Sequence, residues 1–450
     1  MSSSVTSIAT LQKRVEEMLP SLSKAQAQVL GLLTYGILML GKCGMTALSH
    51  GLAKIEQEPA ERLRQRLREF CYEAEAKQGK KRREVDVQRC FPDLLRGMLR
   101  GWEGKKELAL SIDAMTLTER FTVLNISVMY RGCGISVAWK IIEAGEKGAW
   151  RPHWEGLLAT LEGVVPPDWK VIVMADRGLY AAWLFQAIQR LGWHPMLRVN
   201  EDLSFRAVGE ETFSPMGQRV KRRGRGWKGK GEWSEHGEQM SGTVLIRWEK
   251  GYEEKLVVVT DLDEKEANAA WYQMRFWIED EYKDHKSGGW GWEQTKMEDP
   301  KRAERQWLAR AVAMQMAVLV GGEARSRATA ANALQGKAED RKTTGRKTTQ
   351  TRVSATSTEA KRADGRPANH PGNSDPWAGD AARARGNRGV AQADLRGMQA
   401  DQELGQEEPR EGGQKTVSKE QARANVSGKK RAGSHSCPQA GQQAAIPQTA

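Results

Sequence analysis

From residue 1 to about 75 the apolar side chains recur at helical spacing. Ser23 is placed to cap a helix running through Val29, Leu30, Leu33, Ile37 and Leu40, which Gly41 would end. Met45, Leu48 and Leu52 mark a second, short helix over 45–53. After Pro59, Leu63, Leu67, Phe70 and Cys71 form the apolar face of a third. From Glu107 the pattern becomes strand-like. Glu107–Ala114, Phe121–Tyr130 and Gly134–Glu143 are β-rich runs parted by short polar breaks, which predicts an antiparallel meander. Trp154–Leu161 reads as helix, and Trp169–Ala175 as a strand apolar enough to be covered on both faces. Leu179–Leu191 is helical again, and Pro195–Val199 is a short strand. Three strands, helix, strand, helix, strand is an α/β order around one sheet.

Residues 201–262 break that order. Thr243–Trp248 and Lys255–Thr260 predict strands, while Gly217–Gly231 sets seven basic residues among glycines and Trp227. This is a β-rich insertion carrying a basic, mobile hairpin. Arg222 and Arg223 suit phosphates, and Trp227 and Trp233 suit base stacking unless they are core residues of their strands. Asp263 followed by Glu266 reads as a capping box for a helix over Trp271–Lys286, which Gly288-Gly289 would stop. Trp271, Met274, Ile278 and Tyr282 give that helix an apolar stripe. Pro300 opens a last helix over 301–320. Beyond Gly322 the only aromatic residue is Trp377, so the tail cannot offset its ordering entropy and is expected to be disordered.

Composition narrows the partners. The 450-residue chain carries a formal net charge of +13 and a pI near 9.5, which favours a polyanion, nucleic acid before membrane. Five scattered cysteines without a CxxC pair argue against a zinc ribbon or a disulfide framework and fit a reducing cytoplasm. The longest apolar run, Val29–Leu40, is shorter than the roughly 20 residues a membrane span needs. Met1-Ser-Ser-Ser lacks the pattern of a signal peptide. Near the N-terminus, a short helix, a turn and an Arg-rich helix (Arg62, Arg64, Arg66, Arg68) have the order of a helix-turn-helix, or equally of a plain helical bundle with a soluble surface. Lys80-Lys81-Arg82-Arg83 follows as a basic linker.

Candidate chemistry rests on acids at strand ends and on one helix face. Asp113 closes the first expected strand, and Asp176 follows the buried fourth one. Each is either a turn residue or a group facing the working edge of the sheet, because burying an unpaired charge costs several kcal/mol. On a helix turning about 100° per residue, Tyr272, Arg275, Glu279 and Lys286 fall within an arc of roughly 60°. A solvated face is one reading of that set, and a phosphate-and-metal face is the other. With Asp113 and Asp176, Glu279 makes three acids on three core elements, the ligand set that two Mg2+ ions require. His153, His194 and His285 have no ligand partners at metal spacing. Asp280, Glu281 and Asp284 share the helix but not the phase and spacing of Glu279.

Asp113, the segment Met174-Ala175-Asp176-Arg177-Gly178 and the spacing Tyr272-x2-Arg275-x3-Glu279-x6-Lys286 together resemble the DDE transposases of bacterial insertion sequences. The likeness is to the insertion-sequence-four group, marked by a Tyr-Arg-Glu-Lys signature. It covers roughly residues 20 to 320 and includes Lys286–Pro300. It implies an RNase H-like core (104–200 and 263–321) interrupted by the β-rich insertion (201–262), after an N-terminal helical DNA-binding region (1–95) and before a tail (322–450). It also implies metal-dependent cleavage at transposon ends and strand transfer into target DNA. Asp113, Asp176 and Glu279 match the acids that bind two Mg2+ ions, with Mn2+ as a substitute. Tyr272, Arg275 and Lys286 match positions that contact phosphates of the transposon end. The implied partners are double-stranded DNA, as terminal inverted repeats and as target, and a second copy of the chain in the DNA complex. A catalytically inactive or domesticated DNA-binding relative is the alternative, and a nuclease without strand transfer is a third reading.

Overall fold

The structure, a computed structural model, describes residues 7–79, 82–100, 102, 104–146, 150–286 and 289–319. The expected tail, Lys80, Lys81 and Gly288 lie outside these residues. Helix α1 (Ile8–Met18) pairs with α2 (Lys24–Leu40). Gly31 lets the two backbones meet: a Cβ there would stand 2.8 Å from the Cα of Gln12. Helix α2 starts where expected. Ser23 and Gln26 form a reciprocal capping box, and Gly41 ends the helix in the left-handed conformation at φ 62°. The chain then bends by 93° into α3 (Met45–Glu56) and returns in α4 (Ala60–Cys71). Among the described residues no single helix is long and apolar enough to cross a membrane. On α4, Arg64 and Arg66 pair with Glu61 and Glu58, while Arg62 and Arg68 are exposed. Helix α5 (Phe91–Arg100) docks on the sheet, with the Phe91 and Trp139 rings 4.7 Å apart.

Strands β1 (Glu107–Leu117), β2 (Phe121–Tyr130) and β3 (Cys133–Glu143) form the expected antiparallel meander. Strand β2 is buried from Phe121 to Met129, as a strand covered on both faces must be. Helix α6 (Arg151–Thr160) leads to β4 (Lys170–Ala175), and α7 (Ala182–Arg190) leads to β5 (His194–Arg198). Strands β4 and β5 join β1 in parallel, so the first half of the sheet runs in the order β3-β2-β1-β4-β5.

The sheet does not stop there. Five further strands, β6 (Ser204–Ala207), β7 (Ser214–Pro215), β8 (Arg225–Trp233), β9 (Met240–Trp248) and β10 (Leu256–Thr260), add on through an antiparallel β5–β10 pairing, giving ten strands in one sheet. The second part of the expected mobile hairpin, from Arg225 onward, is therefore strand β8, paired with β9 from Arg225 to Trp233. Lys228 reaches the backbone carbonyl of Glu264, and Lys230 pairs with Asp263. Backbone pairing along nine residues, together with these anchors, ties that part of the segment into the sheet.

The N-terminal helices are fastened to the last helix, α10 (300–319), by buried arginine. Arg305, 5% exposed, donates to the carbonyls of Cys71 (2.8 Å) and Val85 (3.2 Å) and to Glu73 (3.0 Å) and Glu84 (2.7 Å). Glu73 also takes Arg302 at 2.9 Å. Burial acts to raise its pKa, but hydrogen bonds from Arg302, its own backbone and Arg305 prevail and hold it down at about 2. A depressed carboxylate stabilises the fold above its ordinary value of 4.5, and that stability fades as pH falls through about 2. Glu73→Gln is accordingly expected to lower Tm by a few degrees at neutral pH, with the difference from wild type shrinking on acidification; thermal melts at stepped pH measure it.

Candidate functional site at the carboxyl edge of the parallel strands

Register puts the first two acids side by side. The last β1–β4 pair is Ile112 with Ala175, and Ala175 pairs in turn with Leu197 of β5. One step further along three parallel neighbours stand Asp113, Asp176 and Arg198. Asp113 was expected at the end of its strand; in fact β1 continues to Leu117, paired with β2, and Asp113 lies opposite Asn125. What ends at Asp113 is the parallel pairing, because β4 turns away at Asp176.

The third acid arrives on a helix that is built differently from expectation. Its start is not the Asp263 capping box, since Asp263 pairs with Lys230. Asn268 is the cap, accepting from the backbone N–H of Ala270 at 2.9 Å. The single predicted helix is three pieces: α8 (Ala269–Gln273), a tight turn over Met274–Phe276, and α9 (Trp277–His285). Met274, Ile278 and Tyr282 of the apolar stripe are buried and Trp271 is half-buried, and α9 packs across β1, β2 and β3. Lys286 caps α9, and its backbone N–H bonds to the Tyr282 carbonyl at 3.0 Å.

This arrangement gathers Tyr272, Arg275 and Glu279 against the two strand acids. Arg275, 6% exposed, spans two of them: Nη1 lies 3.4 Å from Asp113 Oδ2 and Nη2 lies 3.0 Å from Glu279 Oε1. The Tyr272 hydroxyl points at Asp176 Oδ1 (3.3 Å) and the Ala175 carbonyl (3.4 Å), and Arg198 Nη1 is 3.5 Å from Asp176 Oδ1. Burial pushes Asp113 up to about 6; Arg275 pulls against this, and the charges of Asp176 and Glu279 push the same way. Burial also raises the Tyr272 phenol, with the Asp176 carboxylate adding to it, so the hydroxyl stays protonated. Around Arg275 the acids and the tyrosine outweigh burial and keep the guanidinium charged.

Three oxygen-donor acids suit a hard divalent cation chemically. Their placement here does not: among the described residues no three His, Cys, Asp or Glu side chains stand close enough together to hold a metal. The guanidinium of Arg275 occupies the span between Asp113 and Glu279.

The other expected residues lie elsewhere. Arg222 and Arg223 are exposed beside β8, with Arg223 over the Trp248 ring at 5.5 Å. Trp227 is half-buried against Phe205 (5.5 Å) and under Arg219 (5.5 Å). Trp233 cannot stack on bases: it is fully buried, and its indole donates to the Tyr180 hydroxyl at 2.8 Å. His194 pairs with Asp261 at 3.0 Å, and His153 faces Glu146 at 3.7 Å. His285 is fully buried, 3.4 Å from Glu281, which also accepts from the Ser136 hydroxyl at 2.6 Å. Burial, with Arg310 adding and Glu281 opposing, holds His285 down at about 4, so it is neutral. Arg198 was not singled out. A basic residue closing a short strand was its only trace in the chain, and the parallel register is what gives it meaning.

The stretch that carries this geometry has relatives. Residues 108–316 match the family model of the transposase DDE domain. That transposase match takes in Asp113, Asp176, Tyr272, Arg275, Glu279 and Lys286, and it leaves out helices α1 to α5. A solved piggyBac transposase synaptic complex with hairpin DNA is similar over 71% of this chain and 73% of its own, at 10% identity and a TM-score of 0.38. No curated protein matches the chain.

Proposed function

We propose that this chain is a DNA transposase that cleaves at transposon ends and transfers the freed strand into target DNA, a member of the insertion-sequence-four group. The observation that carries the reading is the edge itself: Asp113 and Asp176 stand at one level, where the parallel pairing of β1 and β4 ends, and α9 brings Glu279 to them through Arg275. That edge lies within the stretch matching the transposase DDE domain. The order β3-β2-β1-β4-β5 with helical crossovers supports an RNase H-like core, which β6 to β10 would interrupt as the insertion. The helices of 1–95 are proposed as the DNA-binding region, and a second copy of the chain as the partner on DNA.

Attack on a phosphodiester builds negative charge on the phosphorus oxygens. Arg198 and Arg275 bring positive charge to that edge, and Tyr272 brings a hydroxyl that stays protonated. Lys286, Arg222 and Arg223 are proposed to hold flanking phosphates, and Trp227 a base face. Mg2+, or Mn2+ in its place, is proposed as the cofactor of the three acids and would supply Lewis-acid polarisation of the phosphate.

The test uses the purified full chain with DNA from both flanks of its own coding region, Mg2+ and a supercoiled target. Cleavage at the ends and a joined product are expected. Nicking without joining would favour a nuclease, and DNA binding without cleavage would favour an inactive relative; either overturns the proposal.

A further inference from the structure

We infer that Glu281 is a positioning residue: its buried carboxylate, seated on β3, fixes the rotation of α9 on the sheet and thereby the place of Glu279 at the acidic edge. The inference rests on Glu279 taking part in the proposed cleavage, and adds what aims it. The two acids are two residues apart on α9, so they project about 200° apart, one inward and one outward. Glu281 is 0% exposed at the side chain and Glu279 46%. At roughly 6 Å from the helix axis, a turn of about 20° displaces a side-chain tip by about 2 Å. Whatever fixes the inner carboxylate therefore fixes the outer one.

Three observations carry it. First, the inner carboxylate is gripped in a defined direction. Trp307 Nε1 donates to the Ser136 hydroxyl at 3.2 Å, and that hydroxyl donates in turn to Glu281 Oε1 at 2.6 Å. An indole N–H only donates, so the Ser136 proton is left for the carboxylate. His285 Nε2 stands 3.4 Å from the same oxygen. Second, β3 is shaped for this side chain. A Cβ at Gly134 would run into Glu281 Oε2 and stand 3.1 Å from the Glu281 Cβ. The backbone at Gly134 is not left-handed, so what the position requires is room for Glu281. Third, the grip belongs to a buried polar row that leads across the sheet to Asp113. Ser136 pairs with Ser127 between β3 and β2, Asn125 donates to the Ser127 hydroxyl at 2.8 Å, and Asn125 pairs with Asp113 between β2 and β1. Cross-strand partners and residues two apart share one face of a sheet, so Glu281 is fastened to the face that carries Asp113. Burying a carboxylate costs free energy that an apolar side chain in its place would not. What the acid contributes is direction, and misplacing a reacting group by about 1 Å can cost about a hundredfold in rate.

End cleavage by the full chain, measured over a range of flanking-DNA concentrations and beside urea unfolding, tests this. Glu281→Leu is expected to unfold at the urea concentration of wild type or higher, yet to cleave at least about tenfold more slowly at saturating DNA. The DNA concentration that gives half the maximal rate stays that of wild type, because the loss falls on Glu279 and not on the residues proposed to hold phosphates. Glu281→Gln keeps an oxygen for the Ser136 hydroxyl and is expected to recover most of the rate. Should Glu281→Leu fail to fold, Gly134→Ala, which pushes the same carboxylate from the strand side, is expected to show the same loss of about tenfold. If wild type cleaves and both Glu281→Leu and Gly134→Ala match its rate, the inference is overturned and the proposed function stands. A rate loss that tracks a lowered unfolding midpoint and that Glu281→Gln does not recover makes Glu281 merely structural, and overturns the inference as well. A wild type that does not cleave overturns both.

Discussion

Asp113→Asn, introduced into the full chain, is expected to reduce DNA strand cleavage about a thousandfold or more while leaving duplex binding intact. Asp176→Asn and Glu279→Gln should do the same, because each removes one carboxylate from a single edge whose members act as a unit. The substitutions are nearly isosteric, so the fold has little to lose. For Asp113 it even gains. A carboxyl raised in the folded state from 3.8 to about 6 favours folding at low pH, and that contribution is lost as pH rises through about 6. The asparagine variant should therefore lose less stability than wild type between pH 4 and pH 6, as urea titrations would measure. Gel assays of end cleavage and of mobility shift, run side by side, separate the chemical loss from a binding loss. Cleavage that survives in all three variants would remove the acids from the reaction.

Trp307→Ala is expected to cost about 4 kcal/mol of stability, the typical loss for an aromatic deletion in a close-packed core. Trp307 is fully buried on α10, beneath the helix that carries Glu279. Its indole donates to the Ser136 hydroxyl at 3.2 Å, which in turn meets Glu281. The His285 ring lies 4.9 Å away, and the Arg310 guanidinium covers the Trp307 face at 4.0 Å. Arg310 is itself fully buried, and burial holds its pKa down at about 10. Deleting the ring leaves a cavity and strips a buried cation of the π-face that accommodates it. Both losses contribute to that cost, and equilibrium urea unfolding would show it. A loss below about 1 kcal/mol would mean that the cluster does not anchor α9.

Much of the local architecture was legible residue by residue. Ser23 and Gly41 bound α2 because capping chemistry acts within a few residues, and the three runs of the meander appear with their edges nearly in place. The apolar stripe of Met274, Ile278 and Tyr282 correctly chose the buried side of the Glu279 segment. The misreadings share a different origin. Asp263 looked like a cap because its partner Lys230 lies 33 residues away along the chain. Trp233 looked available to bases for the same reason. Phe185 and Tyr180, which enclose it, are brought there by the sheet.

By itself, the order of residues determined the α/β alternation, the N-terminal helices, the basic character and the three acids worth following. Periodicity, capping and charge are local properties that survive without a fold. Tertiary structure alone decided that Asp113, Asp176 and Arg198 share one level of three parallel strands, and that Arg275 lies between two acids rather than outward toward solvent. Strand register and side-chain burial are set by contacts between segments far apart in the chain, and these exist only once the core has closed.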